Sequence, residues 1–427
     1  MTGDRMLGRV MLAFEGERLP RWVERRLAAA PVAGMTLFIA NNVRRADQVR
    51  ELTDAFQRAG LAGRAERSEA QTGPLLVAAD QEGGQLNALG AEATQFAGNM
   101  ALGAVGDVAL TERVGAAIGR EARAMGVNVV FAPVLDLATE PHNTALGIRS
   151  FGDDPAEVAR HGAAMVRGLQ SAGVAAGVKH FPGLGAVDQD THYDLGVVRG
   201  SREQLEENAL VPFRAAIVAG ARVAMSAHVA VPALSGDPTL PATLSRAVMQ
   251  DMLRDRLGFG GITISDALDM RALAQGPAQA VEVIAAVRAG IDLLLCAADR
   301  PAQRRIEMTL RAAEARGLFE RGELEASSAR LADLRSWLAA AGPPPDLDVV
   351  GSAEHLAISR ELAERSLTRF DRGPDGGEPA PLVLAPGTRI LAIMPEPADL
   401  TPADTSSYVA PGLGRALRTR FDSVDDV

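Results

Sequence analysis

Between Lys179 and His192 the sequence reads KHFPGLGAVDQDTH, and this stretch holds two of the chain's six histidines. Gly183 and Gly185 loosen it, so it reads as a loop. In an extended chain, positions 190 and 192 project to the same side. Asp190 could then fix the tautomer of the His192 ring and stabilise its imidazolium. An imidazole that titrates near ~6.5 can donate and then take back a proton close to neutrality. The plainer reading is a solvated polar loop, with His180 as a buried structural imidazole bonded to backbone.

The other ionisable candidates each follow a short apolar run. Asp80, in DQEGGQ, follows LLVAA (75–79), and Asp136, in APVLDL, follows VNVVF (127–131). Lys179 and His180 follow VAAGV (174–178), and His228, in MSAHVAVP, follows RVAMS (222–226). Asp266, in ISDALDM, follows ITIS (262–265). With VMLAF (10–14), MTLFI (35–39) and IDLLL (291–295) the runs number eight, separated by segments of helical period. Continuous apolar runs are expected of parallel strands buried on both faces. Eight strand–helix units predict an α/β chain folded as a (β/α)8 TIM barrel. A doubly wound open sheet is the competitor, but no Gly-x-Gly-x-x-Gly turn follows an early strand. In a barrel the residues after the strands converge on one mouth, where sites of this fold are found. One such Asp alone reads as a turn former or helix cap. Five strand ends carrying ionisable groups do not.

Several chemistries lack their parts. There is no His-x-His after the first strand, which ends Phe14-Glu15-Gly16, and no Gly-rich phosphate loop after the last two. A Gly-x-Ser-x-Gly nucleophile elbow is absent. A carboxylate with a separate proton donor remains, the minimum for glycosyl transfer through an oxocarbenium-like state. Asp266, short and mounted at a strand end, is the natural nucleophile; its alternative is a cap for the following helix.

The bulk composition agrees with this. Of the 427 residues, 47% are hydrophobic, enough for a large core, and the net charge of −10 argues against a nucleic-acid partner or an anionic membrane surface. The single cysteine, Cys296, excludes an internal disulfide and suits a reducing compartment. The opening MTGDRMLGRVMLAFEGERLP reads as neither signal peptide nor membrane span. The expectation is a cytoplasmic monomer. Helices run to about residue 341; 342–388 reads as a linker with one helix, including the loose DRGPDGGEPAPLVLAPG; 389–427 reads as a partial second α/β domain or an extension packed on the barrel.

Six ordered motifs carry a family resemblance: DQEGG (80–84), APVLD (132–136), IRSFGDDP (148–155), KHFPG with GAVDQDTH (179–192), MSAHV (225–229) and GFGGITISDALDM (258–270). Over residues 8–340 the chain resembles the bacterial β-N-acetylglucosaminidase branch of glycoside hydrolase family 3, the NagZ type. The resemblance implies an exo-acting, retaining glycosidase acting on peptidoglycan-derived fragments without metal or organic cofactor. It implies Asp266 as nucleophile and His192 as acid/base polarised by Asp190. Asp80, Arg149, Lys179 and His180, with His228 nearby, would bind the terminal sugar. The sequence departs from the family pattern at Gln85 and Ala88, where arginines are usual, and at Leu184, where histidine is usual. Two lost guanidiniums remove bidentate donors for an acidic aglycone. A β-glucosidase, a phosphorylase using phosphate in place of water, and a non-catalytic sugar-binding barrel are the alternatives.

Overall fold

The computed structural model describes residues 5–66, 73–187, 190–368, 388–393, 398–399, 401–408, 412–421 and 424–426. The loose Pro- and Gly-rich stretch after the last predicted helix lies outside the described residues up to 387, as do Asp188 and Gln189. The eight apolar runs form eight strands: β1 (Val10–Leu12), β2 (Gly34–Leu37), β3 (Leu76–Ala79), β4 (Val129–Val130), β5 (Ala175–Phe181), β6 (Val223–Ser226), β7 (Ile262–Ser265) and β8 (Leu294–Leu295). They pair in parallel in the order β7-β6-β5-β4-β3-β2-β1-β8. Ile264 bridges Leu293, and the Ser265 N–H donates to Leu293 O at 3.0 Å, bringing β7 back against β8 so that the sheet all but closes.

Helices α1 (Arg21–Ala29), α2 (Ala46–Glu66), α3 (Val108–Ala124), α4 (Pro155–Ser171), α5 (Leu210–Val218), α6 (Ala247–Arg256), α7 (Gln279–Ala289) and α8 (Arg300–Ala315) follow the eight strands in turn. Their starts are built into the sequence. Asp107 accepts from Ala109 and Leu110 N–H at the head of α3, and Asp154 does the same for Ala156 and Glu157 ahead of Pro155 in α4. The segment of helical period between β5 and β6 forms two helices, Arg202–Glu207 and α5. Pro212 has no N–H to give an earlier carbonyl, so it fits only the first turn of a new helix.

Two apolar layers result. Met11, Leu76, Val129, Met225 and Ile264 fill the barrel interior, while a larger cluster lies between strands and helices. Helix α9 (Arg321–Ala340) adds Leu334 and Leu338 to the interior. Arg335 donates to Val32 O and Ala33 O, just ahead of β2, so α9 crosses the amino ends of the strands and stops that end of the barrel.

Beyond the barrel, α10 (Ala353–Ser366) lies against α3 through a buried His355–Glu121 contact at 2.8 Å and the Arg113–Glu361 and Arg120–Glu354 pairs. Ile390–Ala392 and Val424–Asp426 form a short parallel strand pair. Among the described residues no helix is long and apolar enough to cross a membrane.

Candidate active site

The carboxyl ends of the strands open into a cavity of about 440 Å³. Its first wall is a chain of alternating charges. Asp80 follows β3, and a two-stranded hairpin (Gln81–Gly83 with Leu86–Asn87) then turns back beside it. Lys179 Nζ lies 2.5 Å from Asp80 Oδ1 and 2.6 Å from Glu82 Oε1. Arg149 grips Glu82 with two parallel bonds of 2.8 and 2.9 Å, and donates to Ala145 O as well. Two cations thus face two carboxylates. Burial alone would push the Glu82 carboxyl up, but Arg149 and Lys179 outweigh it and hold the group down at about 2. Burial likewise disfavours the Lys179 ammonium, and Asp80 and Glu82 more than offset this, keeping it above the ordinary lysine value. The sequence reading named Asp80, Lys179 and Arg149 but missed Glu82, which connects them. Its signal was its place inside DQEGG; what that motif could not convey is that the side chain is buried.

The second wall comes from β5, which the sequence reading ended at Val178. The strand instead continues to Phe181. Val178 pairs with Ala224 and Phe181 with Ser226, so β5 carries one residue more than β6 over this span. A bulge of this kind interrupts the side-to-side alternation of a strand. Adjacent Lys179 and His180 therefore both reach the cavity. His180 is oriented from behind by buried Asp136, which sits 2.7 Å from Nδ1 and also accepts from the His180 and Leu184 N–H groups. A carboxylate at Nδ1 fixes the proton there and leaves Nε2 for a bound molecule.

Asp190 and His192 are joined as the sequence suggested, but not by an extended chain. Asp190 Oδ1 accepts the His192 N–H at 2.9 Å and lies 2.6 Å from Nδ1, while Tyr193 and Asp194 N–H donate to Asp190 O. The segment is a tight turn, because an Asp side chain accepting an N–H two residues on closes a turn of its own. Gly185 also differs from its expected role as a loosening residue. A Cβ there would sit 1.7 Å from Leu137 O, so glycine is required by close approach.

Asp266 follows β7 and shares the cavity with His192, His180, Asp80 and Arg149. Its Oδ1 accepts the Ala267 N–H at 2.8 Å. Burial pushes its carboxyl up, and the His180 imidazole with the Ala267 N–H pulls it further down, so it lies below the usual range and stays ionised. The loops of Asp266 and His192 meet directly: the Arg271 N–H donates to His192 O at 3.1 Å.

His228 is the exception among the expected sugar-binding residues. It is fully buried and does not line the cavity; Nδ1 lies 2.8 Å from Thr243 Oγ1 and Nε2 3.1 Å from Ala267 O. Both ring nitrogens are occupied by protein, so the ring props the residue after Asp266 instead of meeting a sugar. Burial holds its pKa below the ordinary histidine value. One part of the lining comes from the 389–427 region, which the sequence suggested could pack on the barrel without indicating where. Asp399, residues 401–405 and Tyr408 line the same cavity.

An ionised carboxylate, an imidazole backed by its own carboxylate, and a wall of paired charges thus share the mouth of a parallel barrel. The comparisons place the chain more closely. The "Glycosyl hydrolase family 3 N terminal domain" matches residues 11–334, and the chain belongs to that family. The protein named beta-hexosaminidase A of Pseudoalteromonas piscicida is 33% identical over 373 residues, 82% of this chain and 61% of that protein. This chain therefore spans less than two thirds of that relative's length. A beta-hexosaminidase of Stenotrophomonas maltophilia (strain K279a) is 37% identical over 62% of this chain and 76% of its own. The structure of a glycoside hydrolase family 3 beta-N-acetylglucosaminidase from Paenibacillus sp. str. FPU-7 superposes with a TM-score of 0.90 at 33% identity, covering 100% of this chain and 79% of that one.

Proposed function

We propose that the protein is a retaining exo-β-N-acetylglucosaminidase that removes terminal β-N-acetylglucosamine from glycosides. The observation that carries this reading is that Asp266 and His192 line one cavity on loops joined by the Arg271–His192 bond. The names of the similar proteins support the sugar. Asp266 attacks the anomeric carbon as the bond to the leaving oxygen breaks, and His192 Nε2 gives that oxygen its proton. Asp190 stabilises the imidazolium before transfer. In the second step His192 takes a proton from water, which displaces Asp266 from the anomeric carbon. Two inversions retain the configuration. Lys179, Asp80, Arg149 and His180 hold the hydroxyls of the sugar. Peptidoglycan-derived fragments and chitin-type oligosaccharides both end in such a sugar.

The test is release of p-nitrophenol from p-nitrophenyl N-acetyl-β-glucosaminide, with the β-anomer as first product by NMR. Asp266→Asn is expected to lower kcat by at least ~10⁴-fold, the scale on which covalent nucleophiles act. Undiminished activity in that variant overturns the assignment. Because the acid/base is an imidazole and not a carboxylate, incoming phosphate meets no fixed anion on that group. Product analysis with and without phosphate therefore separates hydrolysis from phosphorolysis.

A further inference from the structure

The matched family domain ends at residue 334, yet α10 beyond it is tied into the barrel by buried polar groups that the mechanism above does not use. Glu121, in the last turn of α3, is buried. Its Oε1 accepts from the Thr94 hydroxyl at 2.6 Å, from His355 Nδ1 at 2.8 Å and from the Gly351 N–H at 3.1 Å. Its Oε2 accepts from the Thr94 N–H at 2.7 Å. Four donors match the roughly four acceptor sites of one carboxylate. They come from the loop at Thr94 and from α10 with the turn before it, so one side chain holds both against α3. One turn along α10 from His355, the Ser359 hydroxyl repeats the tie by donating to Gln95 O at 2.5 Å.

From this loop a line of amides runs to the cavity. Gln95 Oε1 accepts from Asn87 Nδ2, and Asn87 Oδ1 accepts from Gln81 Nε2. Gln81 and Asn87 are both buried. Gln81 Oε1 accepts from the Leu89 N–H at 2.9 Å, and the Ala88 N–H donates to Asp80 O at 3.2 Å. The line therefore ends on the backbone of Asp80, whose carboxylate meets Lys179 in the cavity. A second line runs through the short helix Asn99–Val105, against which α10 packs. Asn99 Nδ2 donates to Arg149 O at 2.7 Å. Asp80 and Arg149 lie on separate loops of the barrel, and both are reached from α10. Members of a buried hydrogen-bonded chain fix one another, so a donor removed at one end loosens the other.

We propose that Glu121, His355 and Ser359 are positioning residues, a brace that sets Asp80 and Arg149 for the hydroxyls of the terminal sugar. None of the three lines the cavity, so they act only through the wall they hold. The helix after the family domain thereby completes the sugar wall from behind. This rests on the glycosidase reading above and adds positioning residues to that same site.

The experiment measures kcat and KM of the full chain on p-nitrophenyl N-acetyl-β-glucosaminide and on its 3-, 4- and 6-deoxy analogues. The variants are His355→Ala, His355→Asn and Ser359→Ala. Deleting a substrate hydroxyl removes what the wall holds, so each variant and analogue form a double-mutant cycle between brace and sugar. Each alanine variant is expected to lower kcat/KM on the parent glycoside roughly five- to tenfold, mainly through KM, the scale of one hydrogen bond loosened at the wall. On at least one deoxy analogue the same variant loses no more than about twofold against wild type, because the contact it weakens is already gone. His355→Asn, whose amide nitrogen can donate where Nδ1 did, recovers parent activity to within about twofold. Arg120→Ala breaks an exposed pair between the same two helices and leaves every substrate unchanged. Ser359→Ala removes only a hydroxyl, so it decides the matter if His355→Ala fails to fold. A loss of equal size on the parent and all the analogues marks a merely structural contact and overturns the inference. So does undiminished parent activity in the alanine variants. Failure of the wild-type protein to turn over the parent glycoside would overturn the glycosidase reading itself, and this inference with it.

Discussion

Both ends of the barrel bury a knot of charge, and the two knots are built differently. At the carboxyl end, Lys179 and Arg149 meet Asp80 and Glu82, two cations for two anions, beside a cavity that also holds Asp266 and His192. At the amino end a single carboxylate, Asp292, receives Arg254 and Arg330, each at 2.6 Å, and the Thr263 N–H at 3.0 Å. Arg9 lies beside it, bonded to Asp292 O and to Ser327 of α9. Burial pushes Arg9 and Arg254 below the ordinary arginine value, with Arg330 adding repulsion. This knot also borders a cavity, of about 210 Å³, lined by five arginines and, among the described residues, no histidine. Buried ion networks therefore do not by themselves mark a site. What distinguishes the carboxyl end is an imidazole backed by its own carboxylate and sharing a cavity with a second carboxylate held ionised. The amino end has a carboxylate held ionised in Asp292 but, among the described residues lining its cavity, no imidazole, and its polar groups fasten α9 across the barrel.

The largest separation between the two ends should come from His192. His192→Gln is expected to lower kcat by ~10²–10⁴-fold, the usual share of a general acid/base, while the thermal midpoint stays within a few degrees. The ring is about one-fifth exposed and sits on a turn outside the apolar core. Parallel kinetics and calorimetry check this. A variant that loses stability and activity together would erase the distinction drawn here.

Asp292→Asn should do the opposite. Removing that carboxylate leaves Arg254 and Arg330 without their charge partner and Arg9 with only its bonds to Asp292 O and Ser327. Breaking such a network typically costs about 3–5 kcal/mol. Chemical denaturation should report that loss, while KM and kcat of the remaining folded protein stay unchanged. An altered KM would mean that the amino end communicates with the cavity.

The same contrast explains what the sequence could and could not reveal. Strand positions were legible because eight apolar runs buried on both faces leave no other regular structure open to them. Arg149 was picked out only through the family resemblance, Asp190 and His192 from their spacing in one loop, and Asp80, Lys179, His180 and Asp266 because strand ends in a barrel share one mouth. His228 obeyed the same rule and was misplaced. Position after a strand says nothing of which way a ring turns, and Thr243 and Ala267 O turn this one inward. Glu82 and the bulge in β5 escaped because both depend on pairing between distant segments. The sequence allowed the 389–427 region to pack on the barrel, but the point of attachment at Thr405 escaped. More than three hundred residues separate Thr405 from the Gln85 carbonyl it holds, and no local pattern encodes that contact.

The smallest predicted effect concerns pH and Glu82. Its carboxyl, ordinarily near 4.5, is held at about 2 by Arg149 and Lys179 against the opposing effect of burial. A depressed carboxyl contributes stability that is complete above its unfolded value and is lost as pH falls from about 4.5 toward 2. At neutral pH this contribution is about 3 kcal/mol by linkage. Glu82→Gln should therefore be less stable than the wild-type protein by about that amount at pH 7, and the difference should shrink as pH falls through the window. Urea titrations at pH 7, 4 and 2.5 would check it, and a gap that stays constant with pH would sink the assignment. Because Glu82 also holds Lys179 and Arg149 at the cavity wall, KM should rise in the same variant, a change that Asp292→Asn does not share. Stability lost at both ends, with substrate affinity lost at only one, would locate the division of labour in the barrel's two mouths.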